Sequence, residues 1–148
     1  MNITGEKVRI RDREPKDSIN EIVWSLDPEI VAFDPPAGEV SSHQLLSIEN
    51  LDEKHIGVCG LYNWTTTDVQ LGIRIGDKNY WGKGYGTEAV NIIVDYCFSA
   101  YMTINRIWLK VLPTNIRAIK CYEKCGFVYS GRLALSGYDF ITMEKRRE

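Results

Sequence analysis

The stretch "NYWGKGYGTEA", Asn79 to Ala89, places glycines at three alternate positions, 82, 84 and 86. A strand-like alternating run, "DVQLGIRIG", precedes it, and an amphipathic helical pattern, "TEAVNIIVDYCFSAYM", follows it. The glycines therefore lie at a helix N-terminus, where backbone N–H groups lack partners within the helix and the helix dipole is positive. Because glycine has no Cβ, an anion can approach this backbone closely, which is typical of a phosphate-binding loop. The alternative is a flexible turn that only starts a helix.

The glycine spacing does not fit two common nucleotide-binding motifs. The dinucleotide fingerprint is G-x-G-x-x-G, whereas the order here is G-x-G-x-G. The nucleoside-triphosphate loop G-x-x-x-x-G-K-[ST] fails because Asp77 stands at its first position and Gly84 follows Lys83. A nucleotide-binding protein of another kind remains an alternative.

Composition limits the class of protein. A chain of 148 residues, 44% hydrophobic and 26% charged, fits one globular domain over residues 1–148. No apolar run approaches the ~20 residues of a membrane span, and the polar start "MNITGEKVRIRDRE" lacks the features of a signal peptide, so we expect a cytoplasmic protein with no membrane partner. A net charge of -2 argues against nucleic-acid binding. The four cysteines and two histidines form no zinc-type pattern, so we expect no metal.

Charge is distributed unevenly along the chain. Residues 1–74 carry 13 acidic and 7 basic side chains, and residues 75–148 carry 7 acidic and 11 basic ones. One interpretation is that the second half holds an anion and the first half attracts a cation. The other is an ordinary solvated surface.

The remaining pattern predicts strands on both sides of the glycine-rich stretch. "EKVRIRDRE" alternates like a strand, "HQLLSIENL" and "HIGVCGLYNW" form a hairpin, and "NRIWLKVL", "FVYSGRLALSG" and "YDFITMEKR" are further strands. "TNIRAIKCYEKCGF" predicts a helix that Thr114 or Asn115 caps and Gly126 ends. "PKDSINEIVWSL" predicts an earlier helix with Ile19, Ile22, Val23 and Leu26 at helical spacing. Together these elements indicate a mixed sheet flanked by helices.

Two motifs carry a resemblance to a known family. "WGKGYG" is similar to the acetyl-CoA motif Q/R-x-x-G-x-G/A, with Trp81 in place of the usual Gln or Arg. "NIRAIKCYEKCGF" is similar to N-x-x-A-x-x-x-Y-x-K-x-G-F, with the matches Asn115, Ala118, Tyr122, Lys124, Gly126 and Phe127. The chain thus resembles the GCN5-related N-acetyltransferases (GNAT), especially the branch that acetylates ribosomal-protein alanine N-termini. The resemblance implies a mixed α/β (α+β) fold: a central, mostly antiparallel twisted sheet of six to seven strands flanked by helices, with acetyl-CoA in a splay between two central strands.

The resemblance also implies binding roles, with acetyl-CoA as the cosubstrate. The pyrophosphate is expected on the backbone of Gly82, Lys83, Gly84, Tyr85, Gly86 and Thr87, and the pantetheine arm along Ile73, Arg74 and Ile75. Asn115 is expected near the pantetheine, Trp81 and Lys124 belong to the same motifs, and Tyr122 is expected near the sulfur. From the residues alone, Asn115 is equally typical of a helix N-cap and Tyr122 of a core residue.

The chemistry of acetyl transfer gives Tyr122 a role as general acid. A phenol with a pKa of ~10 stays protonated at neutral pH and can donate to a thiolate whose pKa is ~8.5. Backbone N–H groups near Ile73 to Ile75 are expected to polarise the thioester carbonyl. The base is open, because Gln70 stands where this branch often has Glu; Asp68, Asp77 or a water molecule are the alternatives.

The acceptor side lies in the first half of the chain. The loop "DPEIVAFDPPAGEVSS", with at most a short helical turn, replaces a second helix of the family. Its acids Asp27, Glu29, Asp34 and Glu39 are candidates to attract a cationic amine, and Trp24, Phe33, Tyr62 and Trp64 are candidates to line the cleft, with core packing as the alternative. The acceptor is a protein N-terminus or a small amine.

These expectations amount to direct acetyl transfer in a ternary complex. A covalent intermediate on Cys121 or Cys125 is disfavoured because no histidine or basic partner is evident. A non-catalytic CoA-binding module is the alternative from another class. The protein is expected to be a monomer or a homodimer, and "YDFITM" is a candidate edge strand for pairing between subunits.

Overall fold

A computed structural model describes residues 1–35 and 43–148. In these ranges the chain forms an eight-stranded sheet in the order β1-β2-β3-β4-β5-β6-β8-β7. The strands are β1 Asn2–Thr4, β2 Val8–Asp12, β3 His43–Asn50, β4 His55–Tyr62, β5 Asp68–Ile75, β6 Arg106–Val111, β7 Val128–Leu135 and β8 Tyr138–Arg146. The helices are α1 Ser18–Ser25, α2 Pro28–Val31, α3 Tyr85–Ala100 and α4 Ile116–Lys124, with 3₁₀ turns at Pro15–Asp17 and Lys78–Tyr80. The mixed α/β fold is confirmed, and the short β1 is a strand that the sequence pattern did not indicate.

The centre of the sheet is a short parallel contact between β5 and β6. Only three residue pairs join these two strands: Asp68↔Arg106, Val69↔Ile107 and Gln70↔Trp108. All other neighbouring strands in the described sheet are antiparallel. β5 continues to residue 75 and β6 to residue 111 without further pairing between them. The two strands therefore splay apart, as expected, and open a cleft between them.

The C-terminal hairpin corrects one expectation. β8, which contains "YDFITM", lies between β6 and β7, so it is not an edge strand; β7 forms the edge. Ser136 and Gly137, with φ of 52° and 83°, close the hairpin in the left-handed turn conformation that two-residue hairpin loops favour. The hairpin turn fixes which strands are neighbours but not which of them joins the rest of the sheet, so the sequence pattern left this open.

α3 forms the core layer on one face of the sheet. Its buried side chains are Ala89, Val90, Ile93, Val94 and Cys97, in the helical spacing that the sequence predicts. In the first turn, the Glu88 carboxylate accepts the backbone N–H groups of Glu6, Lys7 and Val8 at 2.6, 2.7 and 2.8 Å. These bonds hold the start of α3 against the turn between β1 and β2.

α1 is a helix as predicted, but its apolar side does not face the protein. Ile19, Ile22, Val23 and Leu26 are 69%, 59%, 59% and 75% exposed. The packed side carries Glu21, which binds Arg13 at 2.7 Å, and the buried Trp24, whose ring lies 4.9 Å from that of His55. Periodicity indicated the helix correctly; the packed side differs because charged groups occupy the sheet surface beneath it.

Those charged groups form a buried network around Arg11. Its guanidinium donates to both oxygens of Asp17 at 2.8 Å and to Glu49 at 2.8 Å, and the Ser47 hydroxyl donates to Asp17 at 2.7 Å. Burial opposes ionisation of Asp17, but the hydrogen bonds from Arg11, from the backbone N–H of Glu14 and from Ser47 prevail and hold its pKa well below the usual range. The network joins β2 and β3 to the segment that leads into α1.

We predict that Asp17→Asn lowers the free energy of unfolding by about 3–5 kcal/mol at pH 7, because it leaves the buried Arg11 charge undercompensated. The depressed pKa of Asp17 in the folded state means that its stabilisation is complete above the unfolded-state pKa of about 3.9 and is lost as pH falls below it. Urea denaturation between pH 7 and pH 3 checks both effects, and the variant is expected to show a flatter loss of stability with acid. Asp12→Asn, at a side chain that is 68% exposed, is the control. An acid profile of Asp17→Asn as steep as that of the wild type contradicts this role.

Candidate active site

The splay opens a cleft of about 810 Å³ between the sheet, the start of α3, α4, the segment after α2 and the C-terminal hairpin. The site residues expected from the sequence that line it are Ile73, Arg74, Ile75, Trp81, Gly82, Gly84, Gly86, Thr87, Asn115, Tyr122 and Lys124. Two expected residues do not line it. Lys83 is exposed, and Tyr85 packs edge-on against Tyr80 with ring centroids 4.9 Å apart.

The glycine loop ends at a helix start with free N–H groups. Gly82 and Gly84 have φ of 70° and 89°, a left-handed conformation that strains other residues, and Gly84 is the N-cap of α3. The first helical hydrogen bond runs from Glu88 N to Gly84 O at 3.1 Å. The N–H groups at positions 85, 86 and 87 precede that bond and have no helical partner. This end of the cleft therefore offers a cluster of donors to an anion.

Gly86 has no conformational reason to be glycine. Its φ lies outside the left-handed region, and a Cβ placed there meets Ile75 Cγ1 at 3.7 Å and Cys121 Sγ at 3.9 Å, which are ordinary contacts. Because Gly86 lines the cleft, the space that a Cβ would fill is space beside the donor cluster. The residue therefore fits a ligand that approaches the backbone closely.

Trp81 joins the glycine loop to the end of β5. Its indole N–H donates to the Ile75 carbonyl at 2.6 Å, and the Arg117 guanidinium covers its ring at 3.6 Å from the centroid. The indole N–H thus has a partner within the protein. In this structure Trp81 positions the loop beside the open edge of β5.

Tyr122 lies on α4 and lines the cleft although its side chain is only 7% exposed. Burial raises its pKa above the usual range, so the phenol is protonated at neutral pH. Within residues 1–35 and 43–148, no hydrogen bond engages its hydroxyl. Asn115 combines its two expected roles, because its side chain accepts the Ala118 N–H at 3.3 Å as N-cap and also lines the cleft.

The two aspartates that the sequence left open as candidate bases lie outside the cleft. Asp68 pairs with Arg106 at 3.1 Å and Asp77 pairs with Lys54 at 2.9 Å, and neither lines the cleft. Gln70 does line it and accepts from the Asn63 amide at 2.8 Å. Among the described carboxylates, Glu21 and Asp34 line the cleft. Glu21 was missed from the sequence because nothing there shows which side of α1 packs inward.

Some of the loop acids and aromatic candidates line the cleft, and the others contact the rest of the protein. Phe33 and Tyr62 line the cleft, whereas Trp24 covers Gly76 and Trp64 packs on Tyr101. The loop acids Asp27 and Glu29 both bind Lys78, at 2.9 and 3.0 Å, away from the cleft. Glu39 is outside the described residues, while the short helical turn expected in this loop is α2.

Strand register shows which side chains form the wall of the cleft on the face of the sheet opposite the α3 core. Gln70, Gly72 and Arg74 alternate with the buried Val69 and Leu71, so they share the opposite face of β5. A Cβ at Gly72 would lie 2.7 Å from the Tyr62 ring, which places that ring on the same face. We call this surface the second wall. Parallel pairing of Gln70 with Trp108 puts Lys110 on it too, 4.3 Å from the Phe140 ring centroid.

Cys121 is a cleft residue whose surroundings the sequence did not reveal. A hydrogen bond with the Cys125 thiol, a hydrogen bond from Thr87 at 3.4 Å and the charges of Lys124 and Arg117 outweigh burial and lower its pKa to about 7. The two cations correct the expectation that no basic group is near. The buried Cys59 and Cys97 behave oppositely, because burial raises the pKa of their thiols to about 12 and about 11.

None of the helices in residues 1–35 and 43–148 is long and apolar enough to cross a membrane. In the same part of the chain, no group of three or more His, Cys, Asp or Glu side chains is arranged to hold a metal ion.

Comparison with known proteins gives the same fold. An aminoglycoside acetyltransferase in complex with coenzyme A has a TM-score of 0.82 at 21% identity over 95% of both chains. The ribosomal-protein-S5-alanine acetyltransferase from Vibrio fischeri has a TM-score of 0.81 at 20% identity over 99% of this chain and 96% of that one. At these identities the likeness shows the fold.

Sequence comparison adds the family. The uncharacterized N-acetyltransferase p20 of Bacillus licheniformis is 36% identical over 80 residues, which are 53% of this chain and 44% of that protein. The chain thus covers less than half the length of this relative. A family model described as the acetyltransferase (GNAT) domain matches residues 32–128. Because this match spans well over half of the chain, the chain belongs to the GNAT acetyltransferase domain family.

Proposed function

We propose that this protein transfers an acetyl group directly from acetyl-CoA to a primary amine in a ternary complex. One observation carries the proposal: a single cleft joins the donor cluster at the start of α3, the open edge of β5 and the protonated Tyr122. These are the groups needed to bind a pyrophosphate, to pair with the amides of a pantetheine arm and to stabilise a leaving thiolate.

The donor half of the cleft is proposed to bind acetyl-CoA. The N–H groups at positions 86 and 87 bind the pyrophosphate, and the cations Arg117, Lys120 and Lys124 of the same cleft add positive charge. Residues 71–75 of β5 pair with β4 on one side only, so their other edge is open to the pantetheine amides. The CoA complex of the structurally similar aminoglycoside acetyltransferase supports this assignment.

In the transfer step, the amine nitrogen forms a bond to the thioester carbonyl carbon, and the C–S bond then breaks. N–H groups of the open β5 edge are proposed to bind the oxyanion. The Tyr122 hydroxyl donates its hydrogen bond to the leaving sulfur, where the negative charge develops. Because burial raises the pKa of Tyr122, its hydroxyl keeps its proton until the thiolate forms.

The proton of the attacking amine needs an acceptor in the cleft. Glu21 and Asp34 are the described carboxylates that line it, and we propose that one of them receives the proton, directly or through water. Their partners Arg13 and Arg74 hold both carboxylates in place.

We predict that Gly86→Ala separates folding from binding. An added Cβ makes ordinary contacts, so the free energy of unfolding should not fall, while the methyl group enters the proposed pyrophosphate site and weakens CoA binding at least about tenfold. Urea denaturation and calorimetric titration with CoA measure the two effects. Gly131→Ala, on β7 outside the cleft, is the matched control. Unchanged CoA affinity in Gly86→Ala would contradict a pyrophosphate site at the donor cluster.

We predict that Tyr122→Phe lowers kcat by about 10²- to 10⁴-fold and leaves acetyl-CoA affinity nearly unchanged, since it removes only the donor to the sulfur. Thiol release with a panel of amines, together with thermal stability at excess ligand, is the measurement. Tyr129→Phe, at a side chain that is 61% exposed, is the control.

A wild type that acetyl-CoA stabilises by about 2.7 kcal/mol at hundredfold excess, yet that acetylates no amine, would favour a non-catalytic CoA-binding module. Stabilisation by ATP or NAD instead would favour a nucleotide-binding protein.

We predict that Cys121 is the fast-reacting thiol and that acetyl-CoA protects it. Its alkylation by iodoacetamide should accelerate as pH rises through about 7, because the thiolate is the nucleophile and the pKa of Cys121 is about 7. Peptide mass spectrometry identifies the modified residue, and Cys121→Ser should abolish the fast phase. A fast phase that persists in that variant, or that acetyl-CoA does not slow, argues against this arrangement.

A further inference from the structure

The second wall of the cleft carries the charges that an acceptor amine would meet. Asp34, Arg74 and Lys110 line it, and Glu21 borders the same cavity. The acceptor class therefore depends on which of these charges the protein has already neutralised.

Both carboxylates are engaged by arginine. Asp34 accepts from Arg74 Nε at 2.8 Å, and Arg74 Nη2 lies 2.7 Å from the same oxygen. Glu21 accepts from Arg13 at both oxygens, at distances of 2.7 to 3.0 Å. Neither carboxylate therefore presents a free charge to a polycation, although each can still take one proton or one hydrogen bond.

Lys110 is the opposite case. Its ammonium lies over the Phe140 ring, and no carboxylate comes within 4.0 Å of it among residues 1–35 and 43–148. By contrast, Lys54 and Lys78 have carboxylates at 2.9 Å. Lys110 is also half-buried, and burial lowers its pKa from the usual range even though the more distant Asp34 charge acts in the opposite direction, which means that its charge is incompletely solvated. An anion placed beside Lys110 would supply the missing partner.

We propose that the acceptor is a primary amine that carries its own carboxylate, with Lys110 as the counter-ion of that carboxylate. This inference rests on the proposed N-acetyltransferase function. The second wall carries a surplus of positive charge, so a diamine or an aminoglycoside is disfavoured there, while a carboxylate bound to Lys110 leaves the amine of the same molecule free to reach the splay.

Three amines built on the same aminobutyl chain test the proposal: butylamine ends there and is neutral at its far end, 5-aminopentanoate adds a carboxylate, and 1,5-diaminopentane adds a cationic aminomethyl group. For the wild type we expect kcat/KM to be highest for 5-aminopentanoate and lowest for the diamine. Lys110→Met keeps an apolar chain over Phe140 and removes the charge. It should lower kcat/KM for 5-aminopentanoate roughly ten- to a hundredfold and leave that for butylamine and the KM for acetyl-CoA nearly unchanged.

Two variants complete the design. Lys110→Glu should invert the order in favour of the diamine, and Lys16→Met, at a lysine that is 71% exposed and outside the cleft, should leave the order unchanged. A wild-type preference for the diamine, or an order that Lys110→Met does not alter, overturns the inference while the acetyltransferase function stands.

Failure of the proposed function has a different signature. If the protein binds CoA but acetylates none of the three amines, calorimetric titration of the same amines into the CoA complex decides the inference. Binding of 5-aminopentanoate that Lys110→Met weakens supports the anion site without catalysis. Equal or absent binding of all three amines overturns it.

Discussion

The parting of β5 and β6 after three residue pairs is the constraint on which the rest of the site depends. A sheet normally keeps its central strands paired, because unpaired backbone groups inside a protein are costly. Here each strand is held from its other side, β5 by β4 along six residue pairs and β6 by β8 along six. The sheet therefore stays continuous while its centre opens. The backbone on the inner edge of β5 is thereby left without a strand partner, and its N–H and C=O groups are available to a ligand without any special side chain.

The glycine loop is useful only if it stays at the mouth of this opening. Two contacts made by side chains at either end of the loop hold it there. Trp81 donates to the last carbonyl of β5, and Glu88 accepts three N–H groups from the turn between β1 and β2. The free N–H groups of the α3 start lie between these two anchors. Their direction is thus fixed before any ligand binds, which reduces the entropy cost of binding.

The sequence predicted the elements that depend on local patterns and missed those that depend on packing. Alternation, helical spacing and the Asn115 cap gave the helices and most strands, and the glycine order indicated the donor cluster. The position of β8 and the packed side of α1 were not predictable, because a hairpin does not show which strand joins the sheet and buried ion pairs reversed the usual preference for an apolar packed face. The sequence also left Asp68, Asp77 and a water molecule open as the base, because it does not show that Arg106 and Lys54 bind the two aspartates outside the cleft.

The uneven charge of the two halves of the chain has a structural explanation in the cleft. Several acids of the first half form ion pairs within the protein, such as Asp17 with Arg11 and Glu21 with Arg13. Several cations of the second half, including Lys110, Arg117 and Lys124, line the cavity without a carboxylate partner among the described residues. The cavity is therefore more positive than the protein as a whole, whose net charge is -2. Since a cleft with low-dielectric walls concentrates the field of its charges, the positive surplus at the wall proposed for the pyrophosphate also acts on a molecule that enters along the other wall. A donor and an acceptor that each carry an anionic group would then be drawn to the same cleft. The acceptor's amine, which is repelled by these cations, would be left free to reach the thioester in the splay.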